Sequence, residues 1–163
     1  MTQTAIKLQS SNQEQATVLI QQMEHAKGLP LPVYATAQAA GCDVVAAVPE
    51  DTPMALAPGA YAMVPTGICV ALPSGYELQV RARSGLAAKN GIGLVNGIGT
   101  IDADYRGEIK VIMINHGVAP FVIERGMRIA QFVVTTYTPV LFEQAETLPD
   151  TVRGAGGFGS TGK

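Results

Sequence analysis

Charge is scarce in this chain. Only 15% of its 163 residues are Asp, Glu, Lys or Arg, and the formal net charge is −2. A chain without a basic excess is not built, by default, to grip a nucleic-acid backbone. Long apolar runs are missing as well. Polar residues interrupt every stretch before the roughly 18 residues that a membrane span needs. Cysteine is limited to Cys42 and Cys69, with no CxxC spacing. His25 and His116 lie far from both in sequence, so no zinc site is indicated. Two isolated thiols fit a reducing, cytoplasmic setting. The leading residues are polar and show no secretory h-region. No internal repeat is visible.

What the chain has is punctuation. Eighteen glycines and 10 prolines recur as turn signals every ten or so residues, as at Gly41, Pro53, Gly59, Gly75, Gly91, Gly97, Gly117 and Pro139. The runs between them have strand character. Tyr76, Leu78 and Val80 alternate with Glu77, Gln79 and Arg81; segments 61–64, 67–72, 108–114 and 129–134 are similar. Short, evenly spaced strands without interleaved helical patterns predict an all-β sandwich or barrel. Apolar content of 47% excludes intrinsic disorder. At the N-terminus two readings compete. Ser11 and Glu14 form a capping-box pattern, and Ala16, Leu19, Ile20 and Met23 share a helical face. Segment 17–21 is equally a fair strand.

Five segments carry candidate chemistry. Asp43 follows Gly41 and Cys42, near a metal or opening a turn. A strand ends at Arg83 and Ser84-Gly85 then turn the chain; Arg and Ser there can grip an anion while Gly lets it approach the backbone, and the plainer reading is a strand-to-turn exit with a solvated Arg. Segment 91–107 surrounds Asn96, Asp102, Asp104 and Tyr105 with glycine-marked turns. Asn96 can read a flat polar edge as donor and acceptor, and Asp102 suits a general base acting on water. The plainer reading is a hairpin turned at Asn96-Gly97. Gln131 sits in an apolar strand and needs a partner if buried. The tail runs from Arg153 through Gly157, Phe158, Gly159, Ser160, Thr161 and Gly162. It satisfies a phosphate-loop spacing but lacks the strand and helix such a loop requires. Glycine amides, Ser160, Thr161 and Arg153 remain as donors for an anion.

Taken in order, these segments resemble the deoxyuridine triphosphatase (dUTP pyrophosphatase) family, over about residues 30–162. The resemblance implies a jelly-roll-like β fold and a homotrimer whose active sites are shared between subunits. It favours a strand near 17–23, a variable extension at 1–16, a β domain at 17–150 and a glycine-rich lid at 151–163. It departs at Val44-Val45, where Leu is more usual, and at Met127, where an acidic residue is commoner.

The resemblance also implies roles. The reaction is dUTP plus water to dUMP plus pyrophosphate, which limits uracil in DNA and supplies dUMP for thymidylate. Asp102 prepares the water that attacks the α-phosphorus, with Arg83 and Gln131 as the other catalytic candidates. The uracil edge meets Asn96, Gly99, Thr100 and Ile101. Tyr105 lies against the deoxyribose, and Lys110 joins the substrate contacts. Ser84 and Gly85 accompany Arg83 and Gln131 at the phosphates. Arg153, Phe158, Gly159, Ser160 and Thr161 close over the ligand. Mg²⁺ is held mainly by phosphate oxygens, with Asp43 reaching it through water. Two rival readings share this fold: a dCTP deaminase, which calls for a glutamate that the 96–102 segment lacks, and a non-catalytic nucleotide sensor. A plain structural β domain is a third.

Overall fold

The computed structural model describes residues 15–157. Eleven short strands, all antiparallel where paired, form the domain. The largest sheet has the order β2 (Cys42–Val45), β11 (Arg128–Thr136), β6 (Tyr76–Ala82), β8 (Ile98–Ile101). A second sheet joins β4 (Tyr61–Pro65), β9 (Lys110–Asn115) and β7 (Ile92–Leu94). Two pairs complete the set: β1 (Leu19–Gln22) with β5 (Ile68–Ala71), and β3 (Met54–Leu56) with β10 (Phe121–Ile123). The result is an all-β, jelly-roll-like domain. Among the described residues no helix is long and apolar enough to cross a membrane.

Alternation along the strands builds the core. On β6, Leu78 and Val80 are buried while Glu77, Gln79 and Arg81 face outward. On β9, Val111 and Met113 point inward with Asn115. Ile109, Ile123, Ile129 and Val64 pack with them; full burial of one such side chain contributes about 1.5–3 kcal/mol. Asn115 is a polar residue at 0% exposure. Its Nδ2 donates to the carbonyls of Leu56 and Ala119 at 2.9 and 2.8 Å, and its Oδ1 accepts from Gly117 N–H at 2.8 Å. Full pairing of this kind makes its burial tolerable.

Three local expectations are resolved. The N-terminal segment is a strand, β1, paired with β5; Ser11 and Glu14 lie outside the described residues. Ser84 and Gly85 do not form a simple turn but open a short helix, α1 (Ser84–Asn90). Leu86, Ala87, Ala88 and Lys89 are good helix formers. Gly91 ends the helix at φ 68°, its N–H donating to the carbonyl of Ala87. A Cβ there would also press within 2.7 Å of the Gly117 backbone, so glycine is required twice over. Finally, Asn96-Gly97 does turn the chain, with Gly97 at φ 69° and its N–H on the Leu94 carbonyl at 3.1 Å. The flanking strands do not pair with each other, however. β7 pairs with β9 and β8 with β6, so this turn carries the chain between sheets and is not the turn of a hairpin.

Candidate active site

Two groups of polar residues stand at opposite ends of β6. The first is centred on Asp43 of β2. Its Oδ1 accepts from Arg83 Nε at 3.1 Å and from Gln131 Nε2 at 3.2 Å; its Oδ2 accepts from Arg128 Nη1 at 3.0 Å. Arg83 Nη1 also donates to the carbonyl of Arg128 at 3.0 Å. The cluster exists because β11 lies between β2 and β6, with Gln131 opposite both Asp43 and Arg81. The odd glutamine of the sequence thus has its partner. Two guanidiniums against one carboxylate leave a net local charge of +1. Most guanidinium donors remain unspent, and these forks suit phosphate oxygens. Ser84 and Gly85 follow directly at the start of α1, where the first N–H groups lack intrahelical partners. A Cβ added at Gly85 would meet nothing within 4 Å, so the chain's own packing does not demand glycine there.

The second group lines an open cleft of about 450 Å³. Thr100, Ile101, Asp102, Tyr105 and Lys110 contribute, with Met63, Glu108, Ile109 and Ile112. Tyr105 is held by its hydroxyl, which donates to the carbonyl of Glu108 at 3.0 Å. Its ring lies where a side chain at Gly107 would have to go. Asp102 is exposed and, among the described residues, takes part in no ion pair. It also borders a second open cleft, of about 780 Å³, with Asp104 and Arg106. Asn96 lies on the turn, with its amide close to Gly99. Gly99 itself packs so near Val80 that a Cβ would come within 3.1 Å.

The structure therefore gathers Asp43, Arg83 and Gln131 in one place and Thr100, Ile101, Asp102, Tyr105 and Lys110 in another. Along β6 the levels of Arg83 and Asp102 differ by six residues, about 20 Å at the usual strand rise. Arg153 joins neither group; it is exposed and its Nε donates to the carbonyl of Gly156 at 2.8 Å. Phe158, Gly159, Ser160 and Thr161 lie outside the described residues. Sequence reasoning missed Glu108, Met63 and Ile112 as cleft residues. Glu108 lies outside the 96–102 segment, and its Oε1 is occupied by Gly67 N–H at 2.8 Å and His25 Nε2 at 3.0 Å. Its place two residues before Lys110 on one strand face was the available signal. Beside Asp43, burial pushes the Cys42 thiol up, the Tyr34 hydrogen bond pulls it partly back, and the Asp43 charge raises it again.

The pattern of the dUTPase family matches residues 27–162. The chain belongs to the dUTPase family. A deoxyuridine 5'-triphosphate nucleotidohydrolase from Maricaulis maris (strain MCS10) is 57% identical over 145 residues, 89% of this chain and 95% of that protein. Among solved structures, the dUTPase of Staphylococcus bacteriophage 80alpha with dUpNHpp superposes with a TM-score of 0.79. The identity is 24%, over 90% of this chain and 99% of that one. A mutant dUTPase from phage phi11 of S. aureus, solved with a structural Mg(II) ion, gives 0.71 at 21% identity, covering 80% and 97%. At these identities the two structures establish the shared dUTPase fold.

Proposed function

We propose that this dUTPase-family chain hydrolyses dUTP to dUMP and pyrophosphate, with the two residue groups as halves of one site. The observation that carries the reading is Asp102, a carboxylate outside any described ion pair on the rim of a cleft walled by Tyr105 and Lys110. Such a group is available to orient water and accept its proton. Asn96, Gly99, Thr100 and Ile101 line up to meet the uracil edge. A cytosine there leaves buried partners unpaired, a mismatch that discriminates by about 10⁴-fold or more. Tyr105 packs against the sugar and leaves no room for a 2′-hydroxyl. Arg83, Arg128, Ser84 and Gln131 hold the phosphates, and Gly85 lets them approach the backbone. No covalent intermediate is needed; positioning and charge stabilisation carry most of this chemistry.

Among the described residues no three His, Cys, Asp or Glu converge. Asp43, already tied by three donors, suits an outer contact through water. This donor set fits Mg²⁺ carried in on the triphosphate. The ion, when bound, neutralises phosphate charge and eases departure of pyrophosphate. Asp43 contributes separately by holding Arg83, Arg128 and Gln131 in fixed positions.

A homotrimer is the assembly that fits these parts. The halves are about 20 Å apart along β6 by strand rise, so one chain's cleft is completed by another chain's Asp43 group. Tyr61 and Met63 on the outer face of β4 are exposed at 67% and 61%, and Met63 is continuous with the cleft. Beyond β11, segment 137–157 forms no strand, and Leu141 and Phe142 stand 91% and 92% exposed. Such an arm suits docking on a second copy and would deliver segment 151–163 as a lid. A lid that expels water raises a charge pair at 4 Å from about 1 to about 4 kcal/mol. In this reading 17–150 is the domain body and 1–16 an extension. The enzyme serves a cytoplasmic nucleotide pool, removing dUTP and supplying dUMP.

Product analysis with Mg²⁺ and dUTP, dCTP, dTTP and UTP in parallel tests the reading. Release of dUMP and pyrophosphate from dUTP alone is expected. Deaminated product from dCTP would replace the reading with the deaminase one, and silence on all four would leave a nucleotide sensor.

A further inference from the structure

Glu108 stands between the cleft and the segment that carries His25. Its side chain is only 12% exposed. Oε1 accepts from Gly67 N–H and from His25, while Lys110 Nζ lies 3.8 Å from Oε2. Its own carbonyl receives the Tyr105 hydroxyl. One residue thus touches the β4–β5 turn, the N-terminal arm, and both polar walls of the cleft. The arm is locked to the same turn. Met23 N–H donates to the Gly67 carbonyl at 2.8 Å, and Ala26 leaves no room for a Cβ at Gly67. The neighbouring backbone is fixed too, because Thr66 Oγ1 donates to the carbonyl of Ile109 at 2.6 Å and Ile109 N–H to that of Ile68 at 2.8 Å.

We propose that Glu108 is a positioning residue for nucleotide binding, which fixes Tyr105 and Lys110 in the cleft by anchoring residue 108 to Gly67 and to His25 of the N-terminal arm. The inference rests on the reading of the Asp102 cleft as the substrate site. Loss of the Glu108 carboxylate frees the backbone that carries the Tyr105 acceptor. It also releases the strand start that carries Lys110. Asp102 has its own support, because it directly follows β8, which pairs with β6 through Ile101 and Leu78. Ground-state binding therefore suffers and the chemical step does not. An amide at position 108 still accepts from Gly67 N–H, so Glu108→Gln retains the anchor that matters most.

Steady-state kinetics on dUTP with Glu108→Ala, Glu108→Gln, His25→Ala and Asp102→Asn test this. Glu108→Ala is expected to raise KM about tenfold, the worth of one charge-assisted hydrogen bond, with kcat within about twofold. Glu108→Gln should return KM to within about threefold of the parent, and His25→Ala should raise it about twofold to threefold. If Glu108→Ala does not fold, Glu108→Asp takes its place, too short to span to Gly67, with the same split expected. An unchanged KM, an equal fall in kcat, or no rescue by Gln overturns the positioning role. Asp102→Asn separates the two failures: its full activity would remove the cleft reading itself, whereas its inactivity beside an unaffected Glu108→Ala removes only Glu108.

Discussion

Asp43 is a carboxylate surrounded by donors, and Asp102 is a carboxylate with no cationic partner among the described residues. In the proposed reaction the same residue type serves two tasks through its surroundings. Asp102→Asn keeps shape and hydrogen-bonding capacity but cannot take a proton. It is expected to lower kcat by about 10³-fold while a non-hydrolysable dUTP analogue still binds, as titration calorimetry would show. Loss of both together would remove the base assignment. Gly85 gives a sharper test, because the structure has space for its methyl group. Gly85→Ala should hold or raise the melting temperature, since Ala is the better helix former by about 1 kcal/mol. Its activity should fall as the methyl group blocks phosphate approach; an unimpaired enzyme would refute that contact. Cys42 has a signed pH effect. Burial, the largest of its causes, keeps the thiol protonated in the fold while the unfolded chain ionises at the ordinary thiol value. The native state then binds more protons above that value, so stability is full below it and declines as pH rises toward the folded value. Denaturant titrations at several pH values, run beside Cys42→Ala, should show the parent losing stability faster with rising pH.

Elements decide how these residues meet. β11 is the longest strand, and it pairs with β2 on one side and β6 on the other. That double pairing brings Gln131, Asp43 and Arg83 together from positions up to 88 residues apart. The turn at Asn96-Gly97 matters equally, since it moves the chain from the β9 sheet to the β6 sheet and leaves β8 as the cleft wall. Core support at this level is testable. Met113→Ala on β9, at 0% exposure, should cost about 2–5 kcal/mol in denaturant unfolding. The tail behaves differently, because Arg153 is exposed and outside both residue groups. Removal of residues 153–163 should leave the melting temperature unchanged and abolish most turnover. A truncated enzyme with the parent's kcat would rule out the lid.

At the scale of the molecule, the Asp102 cleft borders an exposed apolar face that carries Tyr61 and Met63, the face proposed to meet a second copy. Met63→Asp puts a charge on that face without disturbing the core. Sedimentation is expected to show the parent as a trimer and the variant as single chains of 17.0 kDa with unchanged circular dichroism and little dUTP hydrolysis. A parent that sediments as a monomer with full activity would refute the shared site.

The sequence by itself determined the strand class, the five chemical segments and the residue types they contribute. Strand alternation and glycine turns are local features, legible at spacings of two to four residues, as along Tyr76 to Arg81. Family membership followed from the order of the segments, which is also linear information. Only the tertiary structure decided which segments meet. Gln131 looked out of place in an apolar strand until β2 supplied Asp43 beside it. Asn96-Gly97 read as a hairpin because its signal specifies a turn and says nothing of where the flanking strands find partners. Ser84-Gly85 read as a turn because seven residues carry too weak a helical period to outweigh their neighbours. Glu108 passed unnoticed because its partners, Gly67 and His25, lie 41 and 83 residues away. Contacts at that range are set by sheet pairing and core packing, which no local pattern encodes.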